Sequence, residues 1–200
     1  MVDVEADLRR RVVAGELDAA AALAVEAYGA ELLGFLRATS RDNDLADEAF
    51  AVASERMWQH LAKFRWEASL RTWFYQLARN ALHHLRLDPR RRAERNLPLS
   101  IASALHVAQR LSTPAFQRTS VKDALSELRG QLAAPDHELL ILRLDRGMSW
   151  KDVARALAEE RDDDATLTTR AAALRKRYER VKAELRELAI TRGLIETSSD

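Results

Sequence analysis

Apolar residues recur at helical spacing along most of this chain. The clearest stretch is Ser69–Arg92, which reads SLRTWFYQLARNALHHLRLDPRRR. Leu70, Trp73, Phe74, Leu77, Ala81 and Leu85 fall at i, i+3 and i+4 intervals, the pattern of an amphipathic helix with one apolar stripe. Thr72, Gln76, Arg79, Asn80, His83 and Arg86 lie on or beside the other face. Ser69 is placed to cap the first turn. Asp88-Pro89 should stop the helix, because proline has no amide hydrogen to donate and biases its predecessor away from helix. A basic run, Arg90–Arg92 and Arg95, follows at once.

The same periodicity predicts further helices on both sides. Residues from about Asp3 to Ala38 read as two helices broken at Gly15, with Leu23, Ala27, Ala30, Leu33 and Leu36 on one side of the second. After a turn at Arg41–Asp44, a third helix runs to about Lys63, with Ala46, Ala49, Phe50, Ala53, Met57, Leu61 and Phe64 along its stripe. Between Ala93 and Ser120 the period fades, and Pro98 and Pro114 among serines and threonines predict a flexible linker. Beyond it come helices over Val121–Leu132 and Asp136–Asp145, and one over Trp150–Ala158 capped by Ser149. A last long helix begins near Thr166, with Leu167, Ala171, Leu174, Tyr178, Val181, Leu185 and Leu188 at 3-4 spacing. The expected fold is all-α. Two small helical domains are expected, residues 1–95 and 121–195, joined by a linker over 96–120, and the second is a helix-turn-helix.

Composition agrees with an all-helical globular chain, with 47% hydrophobic residues and only six glycines and four prolines in 200. The net charge of +1 gives no global signal for nucleic acid, but the charge is zoned. Arg86, Arg90, Arg91, Arg92 and Arg95 cluster against Asp88 and Glu94, and the last helix carries seven cations against three glutamates. A polar, Asn-bearing helix face leading into arginines suits a nucleic-acid surface, although a solvated cationic helix end would look the same. The absence of cysteine excludes disulfides and thiolate metal sites and fits a reducing cytoplasm. Charges are expected to interrupt every candidate membrane span, and MVDVEADLRRR lacks the apolar core of a signal peptide. No nucleophile-base pattern or phosphate-cradling glycine loop is present, so an enzyme is not expected.

The stretch SLRTWFYQLARNAL closely resembles the F-R-x-W-L-Y-x-I-A-R-N signature of the extracytoplasmic-function sigma factors, the small two-domain members of the bacterial sigma family. The third helix, LADEAFAVASERMW, is similar to the segment with which that family docks on the clamp helices of core RNA polymerase, with Ala51 and Val52 as departures from its usual pattern. The stretch AGELDAAAALAVEAY, ending at Tyr28, resembles the family's opening. GMSWKDVARAL, followed by TLTTRAAALRKR, resembles its reader of the minus-thirty-five promoter element.

The resemblance implies roles for particular residues. Asp47, Glu48, Glu55 and Trp58 would bind core polymerase. The Phe64–Ser69 loop, with Phe64, Trp66 and Ser69, would join Gln76, Arg79, Asn80 and His83 in holding the melted minus-ten strand. Aromatics beside arginine can stack unpaired bases, and Asn80 offers a donor and an acceptor to a base edge. Lys151, Thr166, Thr168, Thr169, Arg170, Ala172, Arg175 and Lys176 would meet minus-thirty-five duplex, small polar residues near base edges and cations on phosphate. Promoter DNA and core RNA polymerase are the implied partners, an anti-sigma protein a further one, and the cytoplasm the implied location.

The turn Glu159–Asp164 departs from the family pattern. Adjacent aspartates lack the alternating spacing of a hard-cation loop, so a solvated turn is expected there. His83 and His84 are adjacent and cannot share a helix face, so no metal and no cofactor is assigned. Two other readings remain at this stage: a DNA-binding regulator without polymerase binding, for which Ala51 and Val52 speak, and a helical protein that only titrates an anti-sigma partner.

Overall fold

The computed structural model describes residues 3–88, 127–158 and 162–195, and within them the fold is all-α, as expected. Helix α1 is Val4–Val13, α2 Leu17–Ser40, α3 Asn43–His60 and α4 Leu70–Leu87. A single 3₁₀ turn, Leu61–Lys63, extends α3. On the C-terminal side, residues 127–131 form α5, and α6 is Ala134–Leu140. Helix α7 is Trp150–Ala156 and α8 is Asp164–Thr191. The expected linker, the first half of the expected Val121–Leu132 helix and the basic run after Pro89 lie outside the described residues.

Local chemistry sets most helix ends. Asp3, Asp42, Ser69, Ser149 and Asp163 each cap a helix by accepting an amide hydrogen from its first turn. Gly15 takes φ +77 between α1 and α2, a conformation that side chains with a Cβ rarely adopt. Several boundaries differ from the sequence expectation: α2 runs on to Ser40 and α7 stops at Ala156 rather than Ala158. α6 starts at Ala134, two residues before Asp136, because Pro135 occupies its first turn, where no amide is needed. Its end widens into a π turn over Ile141–Asp145, closed by Arg146 N donating to Ile141 O at 2.9 Å. α8 begins two residues before Thr166, because Asp163 accepts the Thr166 amide at 2.7 Å.

The buried face of α2 is also displaced from the expected one. Ala27 and Ala30 are exposed, whereas Ala20, Ala24, Leu32, Phe35 and Leu36 are buried. Alanine at so many positions blurs the period, and the large side chains decide which face turns inward. By length and composition this helix could cross a membrane, so charges do not interrupt every apolar run as expected. Its larger side chains nonetheless pack in the protein core.

Helix α4 lies against α2 and α3 on one side and α7 on the other. Its apolar stripe is therefore wider than the sequence suggests, with Tyr75, Ala78 and Leu82 buried alongside Leu70, Phe74 and Ala81. One core cluster runs through both halves, joining Leu36, Met57 and Phe74 to Leu139, Leu142, Met148 and Val153.

Candidate nucleic-acid interface

The expected polymerase-docking residues sit on the outer side of α3. Asp47, Glu55 and Trp58 are exposed and Glu48 is half-buried. Asp47 pairs with Arg37 at 2.9 Å, Glu55 accepts from Gln59 at 3.0 Å, and the Trp58 indole donates to Asp18 at 2.8 Å. This face thus presents an aromatic ring, 52% exposed, beside carboxylates, which suits a cationic protein partner.

The loop before α4 is an aromatic platform. Phe64 stacks on Trp73, with ring centroids 4.6 Å apart and planes 17° from parallel, and meets Trp66 edge-on at 5.0 Å. Trp66 holds φ +58, an uncommon backbone conformation for a bulky residue, with the Arg9 guanidinium 5.7 Å from its ring. Ser69 caps α4 through the Thr72 amide at 3.0 Å. A cavity of about 520 Å³ opens beside the loop, lined in part by Arg56, His60, Lys63, Phe64, Trp73 and Arg155.

The expected minus-ten face of α4 behaves differently from a free surface. His83 is exposed, but Thr72 is buried and Gln76, Arg79 and Asn80 are half-buried. The C-terminal half covers them. Gln76 donates to Ala158 O at 3.3 Å, Thr72 Oγ1 donates to Asp152 at 3.2 Å, and Arg79 Nε donates to Glu138 at 3.0 Å. Sequence periodicity placed these residues off the apolar stripe and could not show that a second surface lies on them.

Several residues that sequence reading passed over hold this junction. Arg71 forms a two-pronged ion pair with Glu31, at 2.6 and 3.0 Å, and also donates to Arg146 O. The ion pair, its largest cause, holds the Arg71 guanidinium even more firmly protonated than usual. Arg146 reaches back to Glu31 O at 3.2 Å, and Arg41 donates to Gly130 O. Burial pushes the Tyr75 phenol up to about 12, with the Glu31 charge adding to it. One signal was available: Glu138 directly abuts the apolar run Leu139–Leu142.

The expected minus-thirty-five residues lie together on the outer side of α8 and the start of α7. Thr166, Thr168, Thr169, Ala172, Arg175 and Lys176 are exposed, as is Lys151 on α7. Arg170 is half-buried. Trp150 organises the cations, with Arg143 at 4.9 Å and Arg175 at 5.6 Å from its ring, and Tyr178 edge-on at 5.4 Å.

The described part of the acidic turn is built rather than merely solvated. Asp162 pairs with Arg170 at 3.0 Å, and Asp164 pairs with Lys151 at 2.5 Å. Asp163 caps α8, and its bond from Thr166 holds the carboxyl below its usual range. Residues 159–161 lie outside the described set.

Comparison with known proteins locates this arrangement. Residues 24–92 match the family model described as Sigma-70 region 2. No curated protein matches the sequence. Among solved structures, CnrH in complex with the cytosolic domain of CnrY is similar over 94% of this chain and 99% of its own, with 18% identity and a TM-score of 0.61. The sigma factor RpoE in complex with the anti-sigma factor NepR from Bartonella quintana is similar over 80% of this chain and 94% of its own, with 18% identity and a TM-score of 0.51. Residues 24–92 are thus similar to Sigma-70 region 2, and the described residues share the all-α fold of these two solved structures.

Proposed function

We propose that this protein is an extracytoplasmic-function-type sigma factor that binds core RNA polymerase, directs it to specific promoters and helps open the DNA. The observation that carries this reading is the Sigma-70 region 2 match, which spans α3, the aromatic loop and α4, the elements that bear the docking and minus-ten motifs. The outer face of α3 docks on polymerase through Asp47, Glu48, Glu55 and Trp58. The loop aromatics and Gln76, Arg79, Asn80 and His83 hold the melted minus-ten strand. The exposed face of α8, with Lys151, binds minus-thirty-five duplex.

In this role the protein supplies specificity and binding energy, and the polymerase supplies the chemistry. It works in the cytoplasm, where polymerase and promoter DNA are. An anti-sigma protein is a further proposed partner, supported by the two similar structures, each solved with a bound protein that in one case is an anti-sigma factor. The deciding experiment is run-off transcription with bacterial core polymerase, this chain and a genomic promoter library. Specific transcripts that require the chain are expected. Core polymerase that neither binds the chain nor gains transcripts from it would overturn the proposal.

A further inference from the structure

The Arg79–Glu138 pair is the most buried ion pair of the junction. The Arg79 side chain is 19% exposed and that of Glu138 is 8% exposed. Glu138 projects from α6, 59 residues away in sequence, onto the face of α4 that the proposed function assigns to promoter DNA. Arg79 Nη1 is buried without a hydrogen-bond partner. The pair is therefore incompletely satisfied, and a buried ion pair with an orphaned donor is a weak source of stability.

A second contact between the same surfaces, a hydrogen bond, lies two turns earlier on α4. Ser69 and Ser149 each cap a helix, and the residues three places on, Thr72 and Asp152, bond to each other at 3.2 Å. The capped starts of α4 and α7 are thereby tied together.

Geometry forbids this closed state from serving on a promoter. Elements named for positions minus ten and minus thirty-five are about 25 base pairs apart, or roughly 85 Å of duplex at 3.4 Å per step. A compact chain of this length has a radius of gyration of about 16 Å and spans roughly 40 Å. The two DNA-reading faces cannot reach both elements while α6 and α7 lie on α4.

We propose that Glu138 is an internal stand-in for DNA phosphate: it latches Arg79, and with Asp152 on Thr72 it holds the free chain closed, with the minus-ten face occluded. The inference rests on the sigma-factor reading of the α4 face. The latch is weak by construction, so a partner that binds the two halves separately opens it. The open chain exchanges one carboxylate for phosphate at Arg79 and leaves Glu138 to solvent.

The test uses the full chain, whose lack of cysteine makes introduced thiols unique. Spin labels at Ala62→Cys and Ala183→Cys, both exposed positions, report the separation of the halves. The wild-type background should give one narrow distance distribution. Glu138→Gln, which keeps shape and removes charge, should shift at least a third of the molecules to longer distances. In a separate variant, Thr72→Cys with Asp152→Cys, a reducible methanethiosulfonate cross-linker should suppress run-off transcription at least tenfold, and reductant should restore it.

A Glu138→Gln distribution identical to wild type overturns the latch, as does full transcription by the cross-linked chain. If Glu138→Gln fails to fold, the cross-linking arm decides. If the unmodified chain supports no transcription, the sigma-factor reading fails, while the spin-label distances still judge the latch.

Discussion

Glu5 of α1 closes the N-terminus of α4: its Oε2 accepts the Leu70 amide at 2.8 Å. Its Oε1 accepts the Arg71 amide at 3.0 Å and the Tyr28 hydroxyl at 2.8 Å. A carboxylate at this end of a helix satisfies otherwise unpaired amides and opposes the positive end of the dipole. The helix that carries the family motif is thus oriented by a residue 65 positions earlier. Glu5→Ala should lower unfolding free energy by about 1.5–3 kcal/mol, the range for a hydrogen bond to a charged group, as read by urea denaturation. A loss under about 0.5 kcal/mol would show that the cap is dispensable.

The same site makes a spectroscopic prediction. Burial pushes the Tyr28 phenol well above its ordinary value of 10, and the bond to Glu5 and its charge push it further. Glu5→Gln keeps an acceptor and removes the charge. Alkaline titration followed at 295 nm should then show Tyr28 ionising at lower pH than in the wild type, yet still above 10, because burial is the larger cause. An unchanged titration would leave burial as the whole cause of the Tyr28 shift.

His137 should make stability depend on pH. Burial, and then the nearby Arg129 and Arg41 charges, lower its pKa from 6.5, while Asp145 and Glu138 oppose them. In the window between the lowered folded value and 6.5, the unfolded chain binds more protons than the folded one. Stability is therefore full above about 6.5 and declines as pH falls through that window toward the folded value. His137→Gln should flatten the dependence of the urea midpoint on pH below 6.5. A variant with the same slope as wild type would remove His137 as its source.

Sequence reading located what is decided locally and missed what is decided by distant surfaces. Ser69, Ser149 and Gly15 mark helix ends because caps and turns are set within four residues. The start of α8 is equally legible in the spacing of Asp163 and Thr166, but the neighbouring carboxylates disguise that cap as part of an acidic loop. The faces of α4 were half legible. The stripe of Leu70, Phe74 and Ala81 is buried as its period implies, whereas the burial of Thr72 depends on α7, eighty residues on. The π turn at Ile141–Asp145 has no signature in a 3.6-residue period. For the proposed site, residue type identified the exposed α8 cations, but not that Asp162 and Asp164 hold two of the expected contacts.

The docking face of α3 makes a separable prediction. Reversing charge at Asp47 and Glu48 removes the exposed pair with Arg37, which costs at most about 1 kcal/mol of stability. Affinity for core polymerase should fall about tenfold or more, equivalent to about 1.4 kcal/mol, because like charges would now face each other. Fluorescence anisotropy of the labelled chain against core polymerase reads the first quantity and circular dichroism controls for folding. Unchanged affinity with intact helicity would remove this face from the polymerase contact.

The acidic turn should set how tightly α8 holds DNA. Arg175 is exposed and lies over Trp150, so its guanidinium is held at the surface rather than drawn into a carboxylate. Arg170 and Lys151, by contrast, are engaged by Asp162 and Asp164. If both groups face phosphate, their variants should move in opposite directions. Arg175→Ala should weaken duplex binding and reduce the log–log salt slope by about 1, since one fewer counterion is released. Asp162→Asn with Asp164→Asn should strengthen binding and steepen the slope by about 1–2, because two freed cations become available to phosphate. Asp163 is left intact in that variant because it caps α8. The measurement is duplex affinity, on a promoter fragment identified by run-off transcription, across a salt series. Opposite shifts place the turn beside the backbone of the DNA. A loss for Arg175→Ala with no gain for the asparagine pair would place Arg170 and Lys151 away from phosphate and confine the contact to Arg175 and its exposed neighbours. No change in either variant would remove this face of α8 from DNA recognition.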